Sequence, residues 1–263
     1  AGSHFTSLML GSNSKAVHLG EAKHLAKPNV RMRWVCYVCE QKGGCEMMSG
    51  IGPDNIAQIY DIIFSRTGAG KTTLIDASKQ LTGWADRFVG RDDYDRKYIH
   101  LIRDPRALVR LWANYSNWKR WIKRRRHVGQ RWPLHALASN YDVYTHLWLA
   151  ENLDITEFIA RHKVPSILVT YEDLALSTAR ELTRLCDFIG LQFEPAQMDY
   201  WNFQHHGTQK KDYAGKKERV LDLRWKEFLK PNEIQHILAN EKINRYLASQ
   251  NLAFDENGIT RKG

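Results

Sequence analysis

Residues 98–111 read YIHLIRDPRALVRL, and their order decides the fold. Tyr98 to Ile102 is a short apolar, β-branched run of the kind that forms a buried strand, and Arg103-Asp104-Pro105 stops it. Asp104 is placed to cap a helix whose first residue is Pro105, where a missing N–H costs nothing. Ala107, Leu108 and Leu111 give that helix an apolar face. Arg103 therefore stands on a strand-to-helix turn. In an open parallel sheet such turns lie at the carboxyl ends of the strands, where ligands bind, and a guanidinium there suits a phosphate. The competing reading is a plain ion pair with Asp104 or another carboxylate.

Strands at 16–19, 73–76 and 165–169 lie on either side of this turn in the chain and alternate with helical patterns. The alternation predicts an α/β fold, a parallel sheet flanked by helices in three layers. Leu182, Leu185, Cys186 and Ile189 make a helix closed by Gly190, and helical patterns follow at 225–229 and 234–247. With 263 residues, 43% of them hydrophobic, one sizeable core is expected, hence a single domain over 1–263. Within it, 23–55 is a basic, cysteine-bearing excursion, 112–150 a helical region, and 204–217 a polar loop long enough to serve as a lid. In 112–131 aromatic and basic residues interleave, and the amphipathic reading turns Trp inward and Arg outward.

A net charge of +10 favours anionic partners, whether nucleotide, acidic glycan, nucleic acid or membrane surface. No run approaches ~18 apolar residues and no signal peptide opens the sequence, so a cytoplasmic protein without a transmembrane segment is expected. Four cysteines are too few for a disulfide scaffold at this length. Cys36, Cys39 and Cys45 cluster, and with His24 or His18 as a fourth ligand they would hold zinc; reduced thiols or one local disulfide are the plainer readings.

Two glycine-bearing runs bear on phosphate binding. Ser65 to Thr73 contains Gly70-Lys71-Thr72 and tempts a P-loop reading, but Ser65 stands where Gly or Ala is needed. The flanking order is also wrong, because a helical pattern precedes the run and a strand follows it. A turn feeding strand 73–76 is the better reading. Gly2-Ser3-His4-Phe5-Thr6-Ser7 is a hydroxyl-rich turn leading into the helical pattern Phe5, Leu8, Met9, where backbone N–H groups and hydroxyls suit a phosphate or sulfate. A flexible end is its plain alternative.

Taken in order, the blocks Gly2 to Ser7, Leu19-Gly20-Glu21, 74–79 (LIDASK), 99–107 (IHLIRDPRA) and Tyr171-Glu172-Asp173 resemble the signature of sulfotransferases that use 3′-phosphoadenosine 5′-phosphosulfate (PAPS), of the bacterial and carbohydrate-sulfotransferase type. The resemblance implies the P-loop-NTPase-like sulfotransferase fold, PAPS as donor and a hydroxyl acceptor such as a glycan or a lipid-like alcohol. It implies neither a metal requirement nor a specific nucleic-acid partner. Gly2, Ser3, His4, Phe5, Thr6 and Ser7 fall on the loop that holds the 5′-phosphosulfate, and Arg103 on the arginine that holds the 3′-phosphate. The serine usual eight residues further on is replaced by Leu111, and Ser116 is the nearby hydroxyl. Glu21 is the first candidate for the general base, with His24 and His205 as alternatives, and Lys79 is a candidate cationic contact. A P-loop kinase or NTPase built on 68–72, or a non-catalytic binding protein of the same fold, are the rival readings.

Overall fold

The computed structural model describes residues 2–26, 39, 45–79, 81–113, 118–206 and 221–262. In chain order its elements are α1 (Ser3–Gly11), β1 (Ala16–Gly20), α2 (Ile59–Arg66), β2 (Thr73–Asp76), β3 (Tyr98–Ile102), α3 (Pro105–Ala113), α4 (Trp118–Arg131), α5 (Pro133–Ala136), α6 (Asn140–His162), β4 (Ser166–Thr170) and α7 (Tyr171–Leu176). They continue with α8 (Thr178–Ile189), α9 (Trp225–Phe228), α10 (Pro231–Leu238), α11 (Glu241–Ser249), β5 (Leu252–Phe254) and β6 (Ile259–Arg261). The chain is α/β, as its pattern predicts. The strands at 98–102 and 73–76 fall where expected, and the other two run to Gly20 and Thr170.

The chain divides into two compact units. One holds Tyr98–Ser177 and Arg219–Gly263; the other holds Gly2–Lys97 and Thr178–Glu218. Each contains one parallel strand pair. In the first, β3 pairs with β4 in unbroken register from Tyr98↔Ser166 to Ile102↔Thr170. In the second, β1 pairs with β2 from Ala16↔Thr73, with an irregularity between His18 and Gly20.

The first unit is packed around α6, whose Trp148 is fully buried among Ile102, Val109, Leu147, Ile243 and Leu247. Ser139 caps α6 by accepting from the N–H of Asp142, and Lys163 ends it in the left-handed region, just before Val164-Pro165. Asp104 caps α3 as expected, accepting from the N–H of Arg106 at 2.6 Å. The hairpin β5–β6 has no counterpart in the sequence reading, because two three-residue strands are too short for a periodicity to register. The second unit buries Leu19, Ile56, Ile59, Ile63, Trp84 and Phe88 together. Gly190, at φ 77°, closes α8, whose Leu182, Leu185 and Cys186 are buried.

Two expectations change. On α4, Arg120, Lys123 and Arg126 are exposed as expected, but Trp118 and Trp121 are exposed too, and the guanidinium of Arg125 donates to the carbonyls of Ala136 and Ala138 and lies 4.5 Å from the Trp121 ring centroid. Backbone acceptors at the end of α5 draw the arginine in, and Trp121 covers it. At the amino end the helix starts at Ser3, so residues 3–7 are its first turns, not a preceding loop. The segment 68–72 behaves as read, a turn between α2 and β2 with Gly70 at φ 87°. Its Lys71 ammonium donates to the carbonyls of Ser14 (2.9 Å) and Ala16 (3.1 Å). Among the described residues no helix is long and apolar enough to cross a membrane.

Two buried titratable groups give the first unit opposite pH dependences. Burial pushes His100 down to about 4, against the hydrogen bond from its Nε2 to Asn152 Oδ1 (3.0 Å). Its stabilising share is complete above the ordinary imidazole range and is lost as pH falls toward 4. Burial, then the charge of Asp104, pushes Glu172 up to about 8. Its share is complete below the ordinary carboxylate range and is lost as pH rises through 8. Glu172→Gln keeps the oxygen that accepts the Asp104 N–H and removes the charge. Urea unfolding should find variant and parent similar near about pH 5 and the variant more stable above about pH 8. A gap independent of pH would contradict a buried neutral acid.

Candidate active site

Gly2 caps α1 in the left-handed region, at φ 83°, a conformation a side chain would strain. The hydroxyls expected to face an anion are engaged within the turn itself. Thr6 Oγ1 donates to the Gly2 carbonyl at 3.1 Å, and Ser7 Oγ lies 2.9 Å from the His4 carbonyl and 3.0 Å from His18 Nε2. The anion capacity of residues 3–7 therefore rests on the N–H groups of the first turn. Phe5 packs edge-on against Tyr200, with ring centroids 5.7 Å apart.

His18, on β1 beneath this turn, is 2% exposed. Its Nδ1–H donates to the His206 carbonyl at 3.1 Å, which leaves Nε2 to face Ser7. Burial, then the neighbouring His205 and His4, lowers it to about 3, so it is a neutral packing residue. His205 is also buried, with Nε2 2.8 Å from the Tyr200 carbonyl and its pKa lowered by burial. That environment suits it poorly for a base exchanging protons with an acceptor.

Glu21, His24 and Lys79 do come together. Glu21 follows β1 directly. Its Oε1 lies 2.5 Å from Lys79 Nζ, and its Oε2 lies 3.0 Å from Lys23 Nζ and 3.3 Å from His24 Nε2. Burial raises its pKa, but the hydrogen bonds and charges of Lys79 and Lys23 outweigh that and bring it to about 2. The cluster is set in place by Asp76 at the end of β2. Asp76 accepts from Tyr60 (2.7 Å), Trp84 (3.0 Å), Ser78 (2.6 Å to its hydroxyl) and the N–H of Ala22 (3.2 Å), while Ser78 Oγ accepts from the N–H of Lys23. One carboxylate thus ties the Lys79 strand end to the Glu21 strand end.

Arg103 belongs to the other unit. Its carbonyl accepts from Trp148 Nε1 (2.8 Å), its guanidinium lies 4.3 Å from the Tyr171 ring centroid, and Nη2 donates to Asp222 Oδ2 at 2.6 Å. Arg224 grips the same carboxylate through Nε (2.7 Å) and Nη2 (2.8 Å), and Arg110 Nη2 stands 3.7 Å away. Arg224, then Arg103, holds the Asp222 carboxyl well below the usual range. Arg103 Nε and Arg110 Nε and Nη2 are buried without a hydrogen-bond partner among the described residues. Arg110, Asp222 and Arg224 escaped the sequence reading. The signal for Arg110 was its place one residue before Leu111, two helical turns beyond the turn that carries Arg103. Ser116 lies outside the described residues.

The sequence pattern of the sulfotransferase family matches residues 95–195, which contain Arg103, Arg110, Tyr171 and Glu172. No curated protein matches the chain. Among solved structures, the chain is similar to the sulfotransferase domain from the curacin biosynthetic pathway, with a TM-score of 0.58 and 16% identity over 90% of this chain and 92% of that one. A second similarity is to the sulfotransferase domain from the Synechococcus PCC 7002 olefin synthase, with a TM-score of 0.40 and 16% identity over 90% and 89% of the two chains. Residues 95–195 thus match the sulfotransferase family, and the chain carries the fold of a sulfotransferase domain.

Proposed function

We propose that the chain transfers a sulfuryl group from PAPS to a hydroxyl group of an acceptor. The observation that carries this reading is the arginine cluster, three guanidinium groups around one carboxylate with buried N–H groups left over. A phosphate offers more charge and more acceptor oxygens than a carboxylate, so the cluster has capacity for one. Arg103 is assigned to the 3′-phosphate, with Arg110 supplying the grip that a serine at position 111 would otherwise give. Asp222 competes for the same donors.

The 5′-phosphosulfate is assigned to the first turn of α1, from Gly2 to Ser7, and Lys79 is assigned to oppose the charge that builds on the leaving phosphate. When bound, PAPS supplies the sulfuryl group and a bisphosphate leaving group. Proton removal from the acceptor falls to Glu21 and His24. A carboxylate held at about 2 stays ionised but is a weak base, so the imidazole beside it is the better acceptor of the proton, with Glu21 fixing its tautomer. The acceptor is a carbohydrate, a lipid-like alcohol or another small hydroxyl compound. The exposed Trp118 and Trp121, set among basic residues on α4, offer ring faces suited to such a molecule.

Isothermal titration with 3′-phosphoadenosine 5′-phosphate tests the donor assignment. The parent should bind the bisphosphate and ignore ATP·Mg²⁺, and Arg103→Ala and Arg110→Ala should each weaken binding about 10- to 100-fold, the worth of a charge-assisted hydrogen bond. Binding of ATP without the bisphosphate would defeat the reading. The base assignment has its own test in the pH profile of kcat/KM. With His24 as base, activity falls on the acid side as the imidazole takes up a proton. That limb should vanish along with most of the activity in His24→Gln. A parent profile flat down to about pH 4 would return the role to Glu21.

A further inference from the structure

We propose that Cys39, Cys45 and His206 are three ligands of a structural zinc ion. Nδ1 of His206 lies 3.5 Å from the sulfur of Cys39 and 3.5 Å from the sulfur of Cys45, and the three atoms lie within 4.8 Å of one another. The sulfurs are not bridged. A Zn–S bond of about 2.3 Å and a Zn–N bond of about 2.0 Å meeting at a tetrahedral angle separate S from N by about 3.5 Å. Both observed edges have that length. Two thiolates and one imidazole are the donor set that selects zinc among the common divalent ions.

Burial supports the same assignment. Cys39 and Cys45 lie in the apolar cluster of their unit, with Met47, Met48, Leu25 and Ile56. Two bare thiolates there would be costly, but two thiolates around one Zn²⁺ sum to zero charge and can be buried. The sites in sequence suit a clip. Cys45 opens the turn 46–50, with its carbonyl accepting from the N–H groups of Met48 (3.1 Å) and Ser49 (2.8 Å), and His206 follows 161 residues later. Binding the ion would close that long loop and add to the stability of the unit.

The site also reaches the candidate donor turn. The His206 carbonyl accepts from His18 Nδ1, and the other nitrogen of His18 faces Ser7 in α1. The metal would thereby hold His206, His18 and Ser7 in register. The sequence alone nominated His24 or His18 as the histidine ligand. The structure instead gives His24 to Glu21 and uses His18 as the support of His206. Cys36, three positions before Cys39 in a C-x-x-C spacing, lies outside the described residues, and the proposal rests on the three described donors.

The test is metal analysis of the full chain purified without a polyhistidine tag. About one zinc per chain should survive dialysis, and Co²⁺ in its place should give a thiolate-to-cobalt charge-transfer band in the near ultraviolet. Cys39→Ser and Cys45→Ser should each weaken that band, and His206→Gln should change the visible d–d pattern. Chelation of the parent should lower its melting temperature. A parent that carries no zinc, takes up no cobalt and melts unchanged with chelator would overturn the proposal, as would a cobalt spectrum indifferent to His206→Gln. Should a variant fail to fold, the parent's stoichiometry and charge-transfer band decide the matter alone. None of these readouts depends on donor binding or turnover, so they stand apart from the fate of the sulfotransferase reading.

Discussion

Arg106 and Asp104 form an ion pair whose side chains are only 4% and 1% exposed, and the turn after β3 depends on its being satisfied in full. Stripping water from both charges costs several kcal/mol per ion, so only close geometry and further hydrogen bonds can offset it. Asp104 Oδ1 takes the Arg106 N–H and Nε, and Oδ2 takes Nε and Nη2. The remaining capacity of Nη2 goes to the carbonyls of Asp255 and Gly258, both at 3.2 Å, and the guanidinium lies 3.9 Å from the Trp225 ring centroid. The hairpin β5–β6 thus supplies acceptors that a buried arginine cannot do without. Gly258 must lack a side chain, since a Cβ there would fall 2.5 Å from Glu172 Cγ at a φ of 149°. Burial, and then the charge of Asp104 beside it, keeps Glu172 neutral.

What could be read from the sequence follows from where the determinants lie. The strand at 98–102, its stop at Arg103 and the helix from Pro105 are local, carried by β-branched residues, a capping aspartate and a proline, and they appear as read. The reversed helix–turn–strand order around Gly70 was legible for the same reason. Several of the failures are non-local. Whether Trp121 or Arg125 turns inward is decided by carbonyls eleven and thirteen residues away, and no helical wheel contains them. His206 stands more than 160 residues from the cysteines it meets, and Asp222 is 119 residues from Arg103.

The candidate site splits the same way. Glu21 and Lys79 follow the ends of β1 and β2, and parallel pairing of the two strands brings them together, with His24 on the helical turn after Glu21. Their charge state was not legible. It depends on Lys23 and Lys79 meeting one carboxylate, which inverts the raised pKa that burial alone would give Glu21. The hydroxyls of Thr6 and Ser7 looked available in the sequence because composition does not reveal that a helix begins at Ser3 and uses them itself.

Asp222 and Glu21 share a physical logic. Each is a carboxylate held ionised by several cations, and each lets cations gather in a folded chain whose net charge is already +10. Without Asp222, the buried guanidinium groups of Arg103 and Arg110 would lose the one carboxylate they meet among the described residues, at a cost that single hydrogen bonds do not offset. In the proposed donor assignment an incoming anion would therefore displace or share an internal partner, and its affinity would be the difference between two paired states, not the full strength of an arginine–phosphate contact. The N–H groups that Asp222 leaves unused on Arg103 and Arg110 tilt that difference toward a ligand with more oxygens than a carboxylate has. A cluster matched completely to its own aspartate would have no such bias.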